Sequence, residues 1–137
     1  SFGSGYLYYV VPRVILFRLE HTRRTLVDKV DFVSAPGFSD ENVYRPGGPY
    51  KLITDRCLFE VDKTRRCFRL QSVHPGHTVN EIYEQTGFTF DMPDGDVPNT
   101  PVPDATTLAT IRGPVAEEIS EIYPAFAARV FGVGRAA

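Results

Sequence analysis

Three histidines (21, 74 and 77), two cysteines (57 and 67) and a glycine-serine-glycine run, SFGSG at 1–5, are the residues here whose types invite chemistry. Backbone N–H groups freed by glycines form a nest for a phosphate or an oxyanion, which singles out Gly3, Ser4 and Gly5, although flexible termini have the same composition. Glu20 closes the run RVILFRLE (13–20) and His21 follows it, and open α/β sheets place ligands beyond the carboxyl ends of their strands. His21 then reads either as a site residue beside substrate or as a ring hydrogen-bonded to backbone that fixes the loop. His74 and His77 flank Pro75-Gly76 without a third ligand at workable spacing, so they read as loop histidines and no metal site is expected. Glu20, Asp55 and Glu60 have the chemistry of general bases, and nothing in their spacing prefers one. The chain contains no GxSxG elbow, no Walker A motif and no HExxH motif.

The cysteines lie ten residues apart rather than in CxxC spacing, which disfavours structural zinc. Strand parity tests a disulfide. In CLFEV, Cys57, Phe59 and Val61 share a face; in CFRLQSV, Phe68 and Leu70 do. With both sets facing the core, Val61 pairs with Phe68 around a loop of Asp62 to Cys67. Cys57 is then inside and Cys67 outside. A bridge would need a one-residue slip that exposes a whole apolar set, so two free thiols and a reducing compartment are expected.

The positioning elements follow from composition and pattern. A chain of 137 residues with net charge −2 and 42% hydrophobic content fits about one domain with a core. Twelve of its fifteen basic residues are arginine, but they are dispersed, so a nucleic-acid footprint is not expected. No apolar run approaches the roughly 18 residues of a membrane span, and no basic-then-apolar leader opens the sequence. SFGSG reads as a loop ahead of an apparent strand, YLYYVV (6–11), and Pro12. VILF reads as a strand buried on both faces, as in a parallel sheet. TRRTLVDKVDFV (22–33) has room for one short helix. KLITD (51–55), CLFEVD (57–62) and CFRLQSV (67–73) read as strands, the last two forming a hairpin. Thr78 with Glu81 forms a capping box, predicting a helix over TVNEIYEQT that ends at Gly87.

Residues 91–104, DMPDGDVPNTPVPD, contain four prolines and four aspartates and read as an extended surface linker. The organisation expected is therefore a core over 1–90, a linker over 91–104 and C-terminal helices over 105–137. Asp104 or Thr106 caps the first of these, Pro114 starts the next, and Pro124 divides it. Phe126, Val130 and Phe131 are expected to dock against the domain or a partner.

Taken in order, EHT (20–22), VDKVDFVSAPG (27–37), a Gly-Gly-Pro loop, ITDRCLFEVD (53–62) and HPGHTVNEIYEQTGF (74–88) resemble the C-terminal half of the B (β) subunit of family I coenzyme A transferases. The VDFVSAPG wording is closest to the glutaconate CoA-transferase branch, which includes steroid-degradation hydrolases acting on CoA esters. The resemblance covers residues 1 to about 90. It implies an α/β fold, a layered and mostly parallel sheet with flanking helices, shared with ribose-phosphate isomerases and sugar-phosphate deaminases.

It further implies an A (α) subunit as partner, an active site where the subunits meet, acyl-CoA as the coenzyme A substrate, and a cytoplasmic hetero-oligomer. In the family a glutamate attacks the acyl-CoA, and the resulting glutamyl-CoA thioester passes CoA to a carboxylic acid. SFGSG falls where the family has its glycine loop, making Gly3, Ser4 and Gly5 the coenzyme-binding candidates. The family's nucleophile belongs to a Glu-x-Gly type motif well upstream of that loop, and no glutamate here matches it. A fragment of the family's B subunit, one of two chains that together make it, and a branch with the glutamate in the A subunit all fit. Transferase, ring-opening hydrolase and non-catalytic assembly module are the functions the resemblance leaves, the chain alone being inactive.

Overall fold

The computed structural model describes residues 3–132, in two units, Ser1–Thr100 and Pro101–Ala137. The first two residues of the SFGSG run and the last five of the expected C-terminal helices lie outside the described residues. In the first unit, helix α1 (Gly3–Val10) leads to strand β1 (Val14–Phe17), and β2 (Pro49–Ile53), β3 (Cys57–Asp62) and β4 (Cys67–Val73) precede helix α2 (Val79–Gln85). The sheet order is β1-β2-β3-β4. β1 and β2 are parallel, whereas β2–β3 and β3–β4 are antiparallel. The α/β class expected from the sequence holds; the sheet is mixed, with one parallel pair, rather than mostly parallel.

Alternation in β3 and β4 sets the core. Val61 pairs with Phe68 and Asp62 with Cys67, the register that apolar parity requires. Cys57 is buried, Cys67 is half-buried, and both are free. Leu52, Phe59, Leu70 and Ile82 form the centre of the core. Phe59 is flanked by Phe68 at 6.0 Å, Phe88 at 6.0 Å and Phe90 at 5.1 Å between ring centroids. Truncating such a side chain costs about 3–5 kcal/mol. At the hairpin, Asp62 Oδ1 accepts from the N–H of Thr64 and of Arg65, both at 2.9 Å, which closes the turn locally.

Helix α2 begins as the capping box predicts: Thr78 Oγ1 accepts from Glu81 N–H at 3.2 Å. Gly87 follows its C-cap, Thr86. A Cβ at Gly87 would stand 2.3 Å from Leu26 O, so the glycine is required by close backbone approach.

Four expectations are corrected. SFGSG-YLYYV is neither loop nor strand over 3–10 but α1. The helix end is held tertiarily: Gly47 N–H donates to Tyr9 O, Gly48 N–H to Val11 O, and the Arg45 guanidinium donates to Tyr8 O and stacks on the Tyr9 ring at 4.3 Å. A cation there suits the negative end of the helix dipole. Among the described residues β1 is an edge strand rather than buried on both faces, with Ile15 57% and Phe17 65% exposed. Residues 22–33 hold a turn at 23–25 followed by irregular chain rather than a helix. Thr25 Oγ1 bonds Glu20 O and Thr22 O, and such local bonds compete with helix formation; only Leu26 of this stretch is buried.

Lastly, 91–100 is not a free linker. It runs beside β4, with Asp91 N–H to Phe68 O, Leu70 N–H to Asp91 O, Val73 N–H to Pro98 O and Thr100 N–H to Val73 O. Its prolines fall where no ladder donor is needed.

In the second unit, α3 (Ala105–Thr110) is capped by Asp104, whose carboxylate accepts from Thr107 N–H at 2.7 Å. A kink at Gly113 (φ −98°, ψ −107°) and Pro114 precedes α4 (Ala116–Ile122). Pro124 separates α4 from α5 (Pro124–Phe131), as expected. Phe126 and Phe131 meet edge to face at 6.1 Å, while Val130 is 51% exposed and is not a docking residue within this unit.

Candidate functional site at the carboxyl ends of β1 and β2

Parallel pairing brings the carboxyl ends of β1 and β2 side by side. Arg18 N–H donates to Ile53 O at 2.9 Å, prolonging the ladder, after which β1 runs on to Glu20–His21 and β2 to Thr54–Arg56. His21 N–H donates to Asp55 Oδ1 at 2.9 Å and ties the two ends together. Phe17, Arg18, Leu19 and Glu20 line a groove of about 300 Å³ along the outer edge. Phe17 and Leu19 are more than 60% exposed there.

Beneath this crest the His21 ring is fully buried. Nδ1 lies 2.9 Å from Thr54 Oγ1 and Nε2 lies 2.9 Å from Thr86 Oγ1. Thr86 gives its proton to Ile82 O at 2.7 Å, so Nε2 must carry the ring proton and donate to Thr86. Nδ1 then accepts from the Thr54 hydroxyl, whose oxygen also accepts the N–H of Arg56 and of Cys57. The ring is thereby assigned as the neutral Nε2–H tautomer. Burial, then the Arg56 charge, holds its pKa below the ordinary 6.5.

Cys57 Sγ sits 3.6 Å from Nδ1, the spacing of a cysteine–histidine pair. It is not an activated nucleophile. The thiol is fully buried, burial pushes its pKa up to about 12, and Nδ1 is already engaged by Thr54. The His21 ring is thus held by the hydroxyls of Thr54 and Thr86, rather than by backbone as one of the two sequence readings expects.

An ion chain flanks the crest. Arg56 Nη1 pairs with Glu81 Oε1, and Glu81 Oε2 lies 3.0 Å from His77 Nδ1. The His77 hydrogen bond comes first among the causes that lower the Glu81 pKa. His74 is half-buried, Nε2 donating to Thr54 O at 3.1 Å and Nδ1 accepting from Thr100 Oγ1 at 2.8 Å. Both loop histidines thus hold structure. Among the described residues no group of three His, Cys, Asp or Glu is placed to hold a metal ion, and no helix is long and apolar enough to cross a membrane.

Glu20 is exposed at the groove, and Gly3, Ser4 and Gly5 form the first turn of α1, so the structure places the two sets of sequence candidates on different elements. Thr54, Thr86 and Arg56 escape sequence reasoning as site residues. Their only sequence signal is their place in the ITDR and QTGF wording.

No family model matches the chain. It is 32% identical over 104 residues to the B subunit of the 3-oxoadipate CoA-transferase of Pseudomonas knackmussii, covering 72% of this chain and 40% of that protein. It is 27% identical over 84 residues to the B subunit of the glutaconate CoA-transferase of Acidaminococcus fermentans (56% and 32%). It is 32% identical over 73 residues to the IpdB subunit of the cholesterol ring-cleaving hydrolase of Rhodococcus jostii (50% and 29%). The chain thus spans at most about two fifths of these relatives.

Among solved structures, the decarboxylase AibA/AibB superposes with a TM-score of 0.65 at 32% identity, over 80% of this chain and 41% of that one. The glutaconate coenzyme A-transferase of Acidaminococcus fermentans gives 0.68 at 24%, over 81% and 44%. In sequence and in fold, this chain is a relative of the B subunits of CoA-transferases.

Proposed function

We propose that the chain is the C-terminal portion of a CoA-transferase-type B subunit that handles acyl-CoA thioesters together with its A-type partner. The activity is transfer of CoA between an acyl-CoA and a carboxylic acid through a glutamyl-CoA thioester, with the nucleophile outside these residues. The observation that carries this reading is the joint likeness in sequence and fold to CoA-transferase B subunits. In this reading the crest at the carboxyl ends of β1 and β2 forms one wall of a shared active site. A cytoplasmic setting suits its two free thiols.

In this reading the free N–H groups of the first turn of α1, at Gly3, Ser4 and Gly5, face the thioester oxygen or the coenzyme, since a helix start carries unpaired donors and partial positive charge. Glu20 sits at the shared wall, and His21 keeps that wall in place. The remainder of the B-type polypeptide would add to the free edge of β1.

The likeness to IpdB favours a second reading, hydrolytic ring opening of a CoA ester with water in place of the acceptor acid. The complete A–B complex, incubated with an acyl-CoA and candidate acids, separates them. CoA appearing on the acid supports transfer. Ring-opened CoA product without an acceptor supports hydrolysis. Release of carbon dioxide alone, the outcome the AibA/AibB likeness raises, would overturn both. Turnover by residues 1–137 alone would refute the shared-site reading.

A further inference from the structure

The chain leaves α2 through Thr86 and Gly87 into Phe88-Thr89-Phe90, and Arg23, from the turn that follows His21, comes to meet it. Together with Tyr83 of α2 these residues line a pocket of about 260 Å³. An apolar cavity of about 150 Å³ holds a benzene ring, so this space admits one six-membered ring with a small substituent. The pocket shares no lining residue with the groove at Phe17 to Glu20.

Its walls are fixed before any ligand arrives. Gly87 N–H donates to Leu26 O at 2.7 Å, and Thr86 is held between Ile82 O and the His21 ring. Phe88 and Phe90 pack on Phe59 of the core, and Tyr83 meets Phe90 edge to face with centroids 5.9 Å apart. Tyr83 is nevertheless 67% exposed, so its ring stands at the mouth and does not fill the space.

Arg23 is the one charged residue in the lining. Its Nε donates to Glu84 O at 2.6 Å, which anchors the guanidinium at the end of α2 through the backbone and uses no carboxylate. The acids nearest in sequence are engaged or lie outside. Glu81 pairs with Arg56 and His77, and Asp91 pairs with Arg65 at 2.6 Å. Glu84 and Arg24 are exposed, of opposite charge, and neither lines the pocket. The lining therefore carries one net positive charge.

We propose that this pocket binds a small aromatic monocarboxylate, its ring against Tyr83, Phe88 and Phe90 and its carboxylate on the Nη groups of Arg23. Aromatic walls favour a planar ring through edge-to-face and offset contacts. A guanidinium whose Nε is occupied still offers its two Nη groups as a fork to a carboxylate. A bare anion gains little from one exposed cation, and a neutral ring leaves that cation unpaired, so selection needs both parts in one molecule. The proposal does not depend on the thioester reading.

The test titrates the chain with benzoate, with benzyl alcohol and with acetate, by amide NMR and calorimetry. Saturable one-to-one binding of benzoate is expected, with shifts at residues 23, 83 and 86–90. Benzyl alcohol, which lacks the charge, and acetate, which lacks the ring, should each bind about tenfold more weakly. Arg23→Gln should weaken benzoate about tenfold and Tyr83→Ala about fivefold. Absence of saturable binding, shifts confined to other residues, or equal affinity of benzyl alcohol or acetate would overturn the proposal. So would unchanged benzoate affinity in folded Arg23→Gln. Should that variant not fold, the three-ligand comparison on the wild-type chain decides.

Discussion

Replacing His21 by alanine removes the central fastening of the crest. Two ring hydrogen bonds at 2.9 Å are lost, each worth about 1 kcal/mol net. Neither threonine is orphaned, since the Thr54 hydroxyl, released from Nδ1, turns to Cys57 O at 3.2 Å and Thr86 Oγ1 retains Ile82 O. The vacated space beside Phe59, whose ring centroid is 6.2 Å from that of His21, adds about 1–2 kcal/mol. The expected loss is about 3–4 kcal/mol. With an m-value of about 1–3 kcal/mol per molar, this lowers the urea midpoint by about 1–4 M.

A pH series adds a signature that packing alone does not produce. The folded-state pKa of His21 is lowered, so the unfolded chain binds more protons. The stability due to the neutral ring is present above pH 6.5 and is lost as pH falls below 6.5 through the folded pKa. The difference between wild type and His21→Gln should shrink over that window. A loss below about 1 kcal/mol at pH 7.5, or parallel pH curves for the two proteins, would refute the account of His21 as a neutral, doubly bonded ring.

Other perturbations follow from the same structure. Gly87→Ala forces backbone apart at Leu26 and should cost about 1–3 kcal/mol or more by thermal melts, whereas Gly95→Ala, with nothing within 4 Å of its added Cβ, should not destabilise. In thiol labelling of the native chain at about pH 8, near the ordinary thiol pKa, Cys67 should react while Cys57 stays protected. Asp91→Asn should accelerate Cys67, because Asp91 is the main cause raising its pKa. Thr78→Ala should cost about 1 kcal/mol through loss of the α2 cap. Phe17→Lys, at an exposed edge position, should leave stability within about 0.5 kcal/mol while reducing self-association in light scattering; unchanged association would exclude the β1 edge as the contact.

Where structure depends on neighbours in sequence, it was legible. The Val61–Phe68 register, the buried Cys57, the Thr78 cap, the cap at Asp104 (one of two candidates) and the break at Pro124 all follow from parity, capping or proline chemistry acting within a few residues. The resemblance carried by EHT, ITDR and QTGF named the relatives correctly, although nothing in those words says why the residues matter.

Tertiary structure alone decided the rest, because it depends on partners far along the chain. His21 meets Thr54 and Thr86 across 33 and 65 residues, and no local pattern distinguishes a sealed neutral ring from a site base. Residues 3–10, weakly helical by composition, are held by backbone bonds from Gly47 and Gly48. The sheet order, with β2 and β3 antiparallel rather than part of a mostly parallel sheet, is likewise decided by pairings across the chain that no single strand's sequence encodes.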